Sequence, residues 1–262
     1  MRVVLSIAMS TFKEAVKDRI LHGIAFFAVA LILFSLVLGQ LSLGEQVRCT
    51  LDVGLSGISL FCVITAIFLG STMLYKEVEK RTIYTILSKP ITRFSYLLGK
   101  YLGLLLTLFI LLVGLLIVLL GVLYSQGGKP TWGILMMVAM ILSEISLMAS
   151  VSLFFTSFSS PYLSGLFTFS IFIVGRNLDF AIAFGQSPKA GPLAGMVTSV
   201  TRIFPRLYLF YPSGRMVEGS WSSLHETFVQ SGYMLDVLGY GALYTLVFFG
   251  CSALILWRRN FV

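Results

Sequence analysis

Side chains able to do chemistry are sparse in this sequence, so their neighbours decide what each could do. Glu144 stands in the apolar run "MMVAMILSEISLMAS", a few residues after Met136, Met137 and Met140. A carboxylate in such a run either lines a polar pathway or is satisfied by internal packing, with Ser143 and Ser146 close in sequence as hydrogen-bond partners. Three methionines at this spacing could act as soft thioether ligands for copper, although methionine in an apolar helix is more often packing. The histidines, His22 and His225, lie far apart in the chain. Cys62 and Cys251 fall within apolar runs and Cys49 in an expected short loop, so the three cysteines make neither a disulfide framework nor a metal site. The segment "GGKPT" at 127–131 is no phosphate loop, because Pro130 replaces the Ser or Thr after the lysine and Leu123 replaces the first glycine. No metal ligand set and no catalytic constellation is expected.

The densest charge lies in "YKEVEKRTIYTILSKPITRFSYLLGK", Tyr75 to Lys100, between two apolar runs. Val78, Ile83, Ile86 and Leu87 share one helical face, with Lys76, Glu79, Lys80 and Lys89 around the rest. Pro90 cannot continue that helix and drives Lys89 out of helical geometry, so a corner is expected over Lys89–Arg93 and a second helix after "PIT". An anchor that only fixes orientation needs lysines in any conformation. Glu77, Glu79, the amphipathic order and the rigid corner fit a docking surface better.

The elements that must carry these residues follow from composition. The 262-residue chain is 57% hydrophobic and only 11% charged, and its mean hydropathy is +0.94. A soluble domain carries about 25% charged residues, which places this chain in a membrane. Six apolar runs are long enough to cross, at about 21–41, 53–75, 97–124, 132–156, 162–185 and 234–257. The fold class expected is an all-α polytopic membrane protein, since helices satisfy their own backbone in lipid. The fifth run is interrupted by Arg176, Asn177 and Asp179. If the N-terminus, the 76–100 loop and the C-terminus share a side, that side holds twelve of the 19 Lys and Arg residues, so both termini are expected in the cytoplasm.

Two further segments have their own character. In residues 1–20, Val4, Ile7, Ala8, Phe12, Ala15 and Val16 form one side of a helix and Lys13 and Lys17 another, the pattern of a helix lying in the membrane interface. Residues 187–233 carry Pro188, Pro192, Pro205 and Pro212 among Phe204, Tyr208, Phe210, Tyr211 and Trp221. That is too broken for a span and too apolar for a free loop. Short helices dipping into the outer leaflet are expected, or a lid that docks an extracytoplasmic partner.

The stretch from Tyr75 to Gly103 resembles the signature of the ABC-2 type transporter permeases, the membrane subunits of type V ABC transporters. It has the acidic pair Glu77 and Glu79, then Arg81-Thr82-Ile83, Ile86-Leu87, the corner Pro90-Ile91-Thr92-Arg93, and Gly99-Lys100 at the start of the third span. Arg81 stands where many members have Gly. "TFKEAVKDRILHG" resembles the family's elbow before span one, and "SVSLFFTSFSSPYLSGL" its turn between spans four and five. The nearest subgroup by look is the permeases of the nitrous-oxide-reductase maturation type.

The resemblance implies one transmembrane domain over 1–262, with an interfacial elbow helix at 1–20, a cytoplasmic coupling segment at 76–96 and outer re-entrant helices at 187–233. It implies a non-enzymatic permease in the bacterial cytoplasmic (inner) membrane that exports its substrate. Its partners would be a second copy of the permease, membrane lipids, possible periplasmic proteins and a cytoplasmic ABC ATPase that binds the ATP and Mg, none being held by this chain. Coupling would rest on Glu77, Glu79, Arg81, Thr82, Lys89, Pro90, Arg93 and Lys100, with Glu144 as the pathway candidate. A secondary carrier or a polytopic membrane enzyme are the alternatives.

Overall fold

The computed structural model describes residues 2–41, 46–79, 92–128, 132–186, 204–211, 216–217, 220–221 and 231–258. Helix α1 spans Arg2–Val16, α2 Arg19–Leu41, α3 Gln46–Glu79, α4 Arg93–Ser125 and α5 Trp132–Thr156. They are followed by α6 Pro161–Arg176, α7 Leu178–Gln186 and α8 Ser231–Arg258. A 3-10 turn at Leu207–Phe210 and a minimal antiparallel pair, Met216–Val217 with Ser220–Trp221, lie between α7 and α8. Among the described residues five helices are long and apolar enough to cross a membrane, namely α2, α3, α4, α5 and α8.

Burial separates the helices by role. In their most apolar stretches α3 and α5 are 67% and 61% buried, whereas α2 and α8 are each 17% buried. The pair α3 and α5 is therefore the centre of the bundle, and α2 and α8 are its flanks with apolar side chains turned outward. Phe26, Phe27, Leu33 and Val37 on α2, and Leu235, Leu243 and Leu246 on α8, are exposed, as lipid-facing helices require. Cys62, Leu104, Met137, Met140 and Ile145 sit in the core. Met137 and Met140 are thus packing residues, in line with the commoner use of methionine in a helix.

The expected fifth span is two helices rather than one. Helix α6 has 16 residues and α7 has 9, so α6 covers only about 24 Å of a hydrocarbon core about 30 Å thick. The break falls at Asn177, whose N–H contacts the Ile173 and Val174 carbonyls, both at 3.2 Å, in a tightened last turn. Ser160 and Pro161 start α6 in the position where proline is best tolerated.

Two other boundaries differ from the sequence reading. Helix α3 begins at Gln46 rather than near 53, so Arg48, Cys49 and Asp52 are helical and Cys49 is no loop residue. Most of 187–233, where short re-entrant helices are expected, lies outside the described residues; its described part holds the 3-10 turn, the two-residue strands and the start of α8.

The "GGKPT" glycines have a structural task. Gly127, at φ +74°, follows the C-cap Gln126; its N–H bonds the Tyr124 carbonyl at 3.1 Å and the Gly128 N–H bonds the Leu123 carbonyl at 3.0 Å. That is the two-bond Schellman end of α4. Both amides are committed to the helix, at its negative end, and neither is arranged to cradle a phosphate.

Candidate functional site: two polar centres

The first centre gathers a buried carboxylate. Helix α5 places Glu144 at its midpoint, fully buried against α3. Ser59 of α3 donates its hydroxyl to Glu144 Oε2 at 2.8 Å. Arg176, the last residue of α6, donates from Nη1 to Glu144 Oε1 at 2.9 Å and to Ser59 Oγ at 2.9 Å. The guanidinium also lies 5.7 Å from the Phe172 ring centroid and 5.1 Å from that of Tyr211. Tyr211, 7% exposed, donates its hydroxyl to the Asp52 carbonyl at 2.8 Å. The chain after the helix break is so tied back onto the start of α3.

This geometry explains why α6 stops where it does. Each ion alone at this depth costs about 2.5–3.5 kcal/mol on insertion scales, and pairing with hydrogen bonds offsets much of that. Arg176, one of the residues that interrupt the expected fifth span, reaches inward with a side chain only 18% exposed. Of the neighbours expected for Glu144, Ser146 serves elsewhere, meeting the Tyr101 hydroxyl at 2.6 Å. Nothing in sequence order marks Ser59, Arg176 and Tyr211 as members of one site. The available signal was an unmatched arginine in one apolar run and an unmatched carboxylate in another. Phe210 and Tyr211 likewise pack into the bundle rather than facing an interface.

The second centre surrounds the start of α4. Thr92 is its N-cap, and its hydroxyl accepts the Ser95 N–H at 3.3 Å. Arg93 Nη1 donates to the Leu256 and Trp257 carbonyls, both at 3.0 Å. Two turns on, Lys100 has a side chain only 3% exposed and its Nζ lies 3.9 Å from Glu14 Oε2. The N-terminal helix, the two ends that flank the charged loop and the C-terminal helix therefore meet at one end of the bundle. Glu77 and Glu79 close α3 at that same end. Arg81, Thr82, Lys89 and Pro90 lie outside the described residues, and with them the first three residues of the expected corner Lys89–Arg93.

Helix α1 departs from a simple interfacial helix. Ala8, Thr11 and Ala15 are buried and Ile7 packs on the core, all against α4. Val3, Leu5, Met9 and Val16 are exposed instead. Close approach is possible because α4 presents Gly99 and Gly103: a Cβ on Gly103 would lie 2.6 Å from the Ala8 carbonyl oxygen.

Among the described residues neither centre encloses a pathway. A cleft of about 640 Å³, lined by Ile20, Ile64, Phe68, Ser71, Tyr162 and Phe169 among others, opens sideways between the start of α2, α3 and α6. Its walls are apolar, and Tyr162 at its rim is 91% exposed.

Comparison with known proteins agrees with the bundle. No curated protein matches the chain. The family model described as ABC-2 family transporter protein matches residues 3–259. The chain thus belongs to the ABC-2 transporter family, as a multi-pass transmembrane permease.

Proposed function

We propose that the chain is one of two permeases that together form an export pathway, driven by a separate cytoplasmic ABC ATPase seated on the charged loop after α3. The observation that carries this reading is the geometry around that loop. Helices α3 and α4, with 34 and 33 residues, are each about 50 Å long and overrun a hydrocarbon core of about 30 Å. Glu77 and Glu79 end one helix, Thr92 and Arg93 begin the other, and both chain termini gather at that end. The Lys and Arg count supports reading that end as cytoplasmic, with the bacterial inner membrane as the membrane crossed. ATP and Mg belong to the ATPase. Its closed and open states hold the 76–96 segment differently, and only that difference can do work on the permease.

The sideways cleft supports the second permease, because a pathway bordered by lipid on one side is closed when another copy covers it. The sixth crossing is α6 and α7 in series, with the break at Asn177 set by the inward reach of Arg176. The segment beyond, through Leu207–Phe210 and Tyr211, is an outer plug that re-enters the bundle. Helix α1 is an elbow whose exposed residues Val3, Leu5 and Met9 meet lipid. Glu144 serves as a packing contact satisfied within one chain, and Arg176 is the member of the pair that borders the pathway. A secondary carrier would need Glu144 to exchange its partners for a proton or ion, and its bonds to Ser59 and Arg176 give that no support.

Two measurements test the proposal. An ABC ATPase should co-purify with the tagged chain, and its loss on deleting residues 76–91 would tie it to the loop. Pro90→Ala should leave membrane insertion intact while ATP turnover in proteoliposomes continues with transport reduced about tenfold, the size of a coupling of about 1.4 kcal/mol. Unimpaired transport by that variant would contradict the coupling role.

A further inference from the structure

The two ends of the chain are attached to the same three turns of α4. At the C-terminal end, the last described turn of α8 presents its carbonyls at the negative end of the helix, where a cation is favoured. Arg93 Nη1 bonds two of them, those of Leu256 and Trp257, at 3.0 Å each. The next residue, Phe94, sets its ring edge-on to Phe249 of α8 at 5.9 Å, and Tyr101 approaches the same ring at 5.2 Å. An arginine at the bilayer edge ordinarily reaches for headgroups. This one caps a helix that follows it by more than 160 residues.

On another face of the same turns sits α1. Gly99 leaves room for Ile7 and for the Val4 carbonyl, and Gly103 for Ala8 and Thr11. Lys100, between the glycines, is drawn inward to Glu14 rather than outward to phosphates. Residues 93–103 rise only about 15 Å along the axis, yet they hold α1 by shape and charge and α8 by hydrogen bonds and rings.

We propose that Arg93 is a positioning residue that fastens the end of α8 to the start of α4, so that α1, α4 and α8 move as one body when α4 is displaced. The proposal rests on the preceding functional reading only for what displaces α4, since the fastening itself is a property of the single chain. With the fastening intact, a push delivered beside Thr92 reaches three helices without a separate contact to each. Without it, α8 keeps its place in the membrane and its last turns fray.

The test uses the full chain in nanodiscs with its native ATPase bound. Arg93→Ala should raise amide hydrogen exchange in the last two turns of α8 about tenfold while exchange over residues 237–248 stays as in the parent. Arg93→Lys, which keeps the charge but offers no fork, should give an intermediate rise and serves if the alanine variant does not accumulate. Spin labels at Leu102→Cys and Leu254→Cys should keep one distance with and without ATP in the parent and separate on ATP addition in the Arg93→Ala background. Exchange in the α8 end unchanged by either variant, or a parent distance that shifts with ATP, would overturn the proposal. Absence of any ATPase in the preparation would instead remove the preceding reading, and the exchange measurement would still decide the fastening.

Discussion

Arg176 is the residue on which the membrane interior of this chain turns. It satisfies Glu144 and Ser59, stacks beside Phe172 and Tyr211, and ends its own helix in doing so. Removing one member of such a pair leaves an uncompensated charge, so Arg176→Met should destabilise the protein by about 3–5 kcal/mol. Adding Glu144→Leu should recover most of that loss, and Ser59→Ala alone should cost about 1 kcal/mol. Thermal unfolding in detergent reads all three, and a double variant no better than Arg176→Met would refute the pairing. Half of this site was legible beforehand, because a carboxylate in "MILSEISL" needs a partner wherever it sits. Which partner could not be read, because Ser143 and Ser146 are near in sequence whereas Ser59 and Arg176 are 85 and 32 residues away. Hydropathy shows Arg176 only as an interruption of the run 162–185, since a window average has no means of seeing one side chain turn inward.

At the scale of elements, the five long spans emerge from apolar length alone, and the start of α4 just after "PIT" is where the sequence expects a second helix. Length alone does not give the division of 162–185, although the polar interruption Arg176, Asn177 and Asp179 marks the place where α6 ends and α7 begins. Nor did amphipathic order alone reveal that the apolar side of α1 is covered by protein. Helical periodicity reports a side that avoids water, and lipid and a neighbouring helix satisfy it equally. The glycines of "GKYLG" distinguish the two, because small residues four apart on a span permit backbone approach. Gly103→Leu should therefore lift α1 from α4 at a cost of about 1–3 kcal/mol while α4 still crosses the membrane. Limited proteolysis near Lys13 and Lys17 would report it through faster cleavage than in the parent, and equal cleavage would mean that α1 is held otherwise.

For the whole molecule, the division into a buried pair, α3 and α5, and outward flanks leaves the cleft beside α6 uncovered. If a second copy covers it, a cysteine at Leu166, which is 61% exposed on that side, should cross-link two chains in membranes when placed in a cysteine-free background. Leu243→Cys, equally exposed but on α8, should not. Efficient linking through Leu243 alone would place the second copy on the opposite flank. The order of residues along the chain adds a consequence for biogenesis. Helices α5 and α6 are joined by only Ser157–Ser160, so Glu144 is made first and its arginine follows directly behind. The two can leave the ribosome and enter lipid as a neutral hairpin, each cancelling the other's reluctance to partition. Helix α6, short and ending in a cation, depends for its insertion on the helix synthesised just before it.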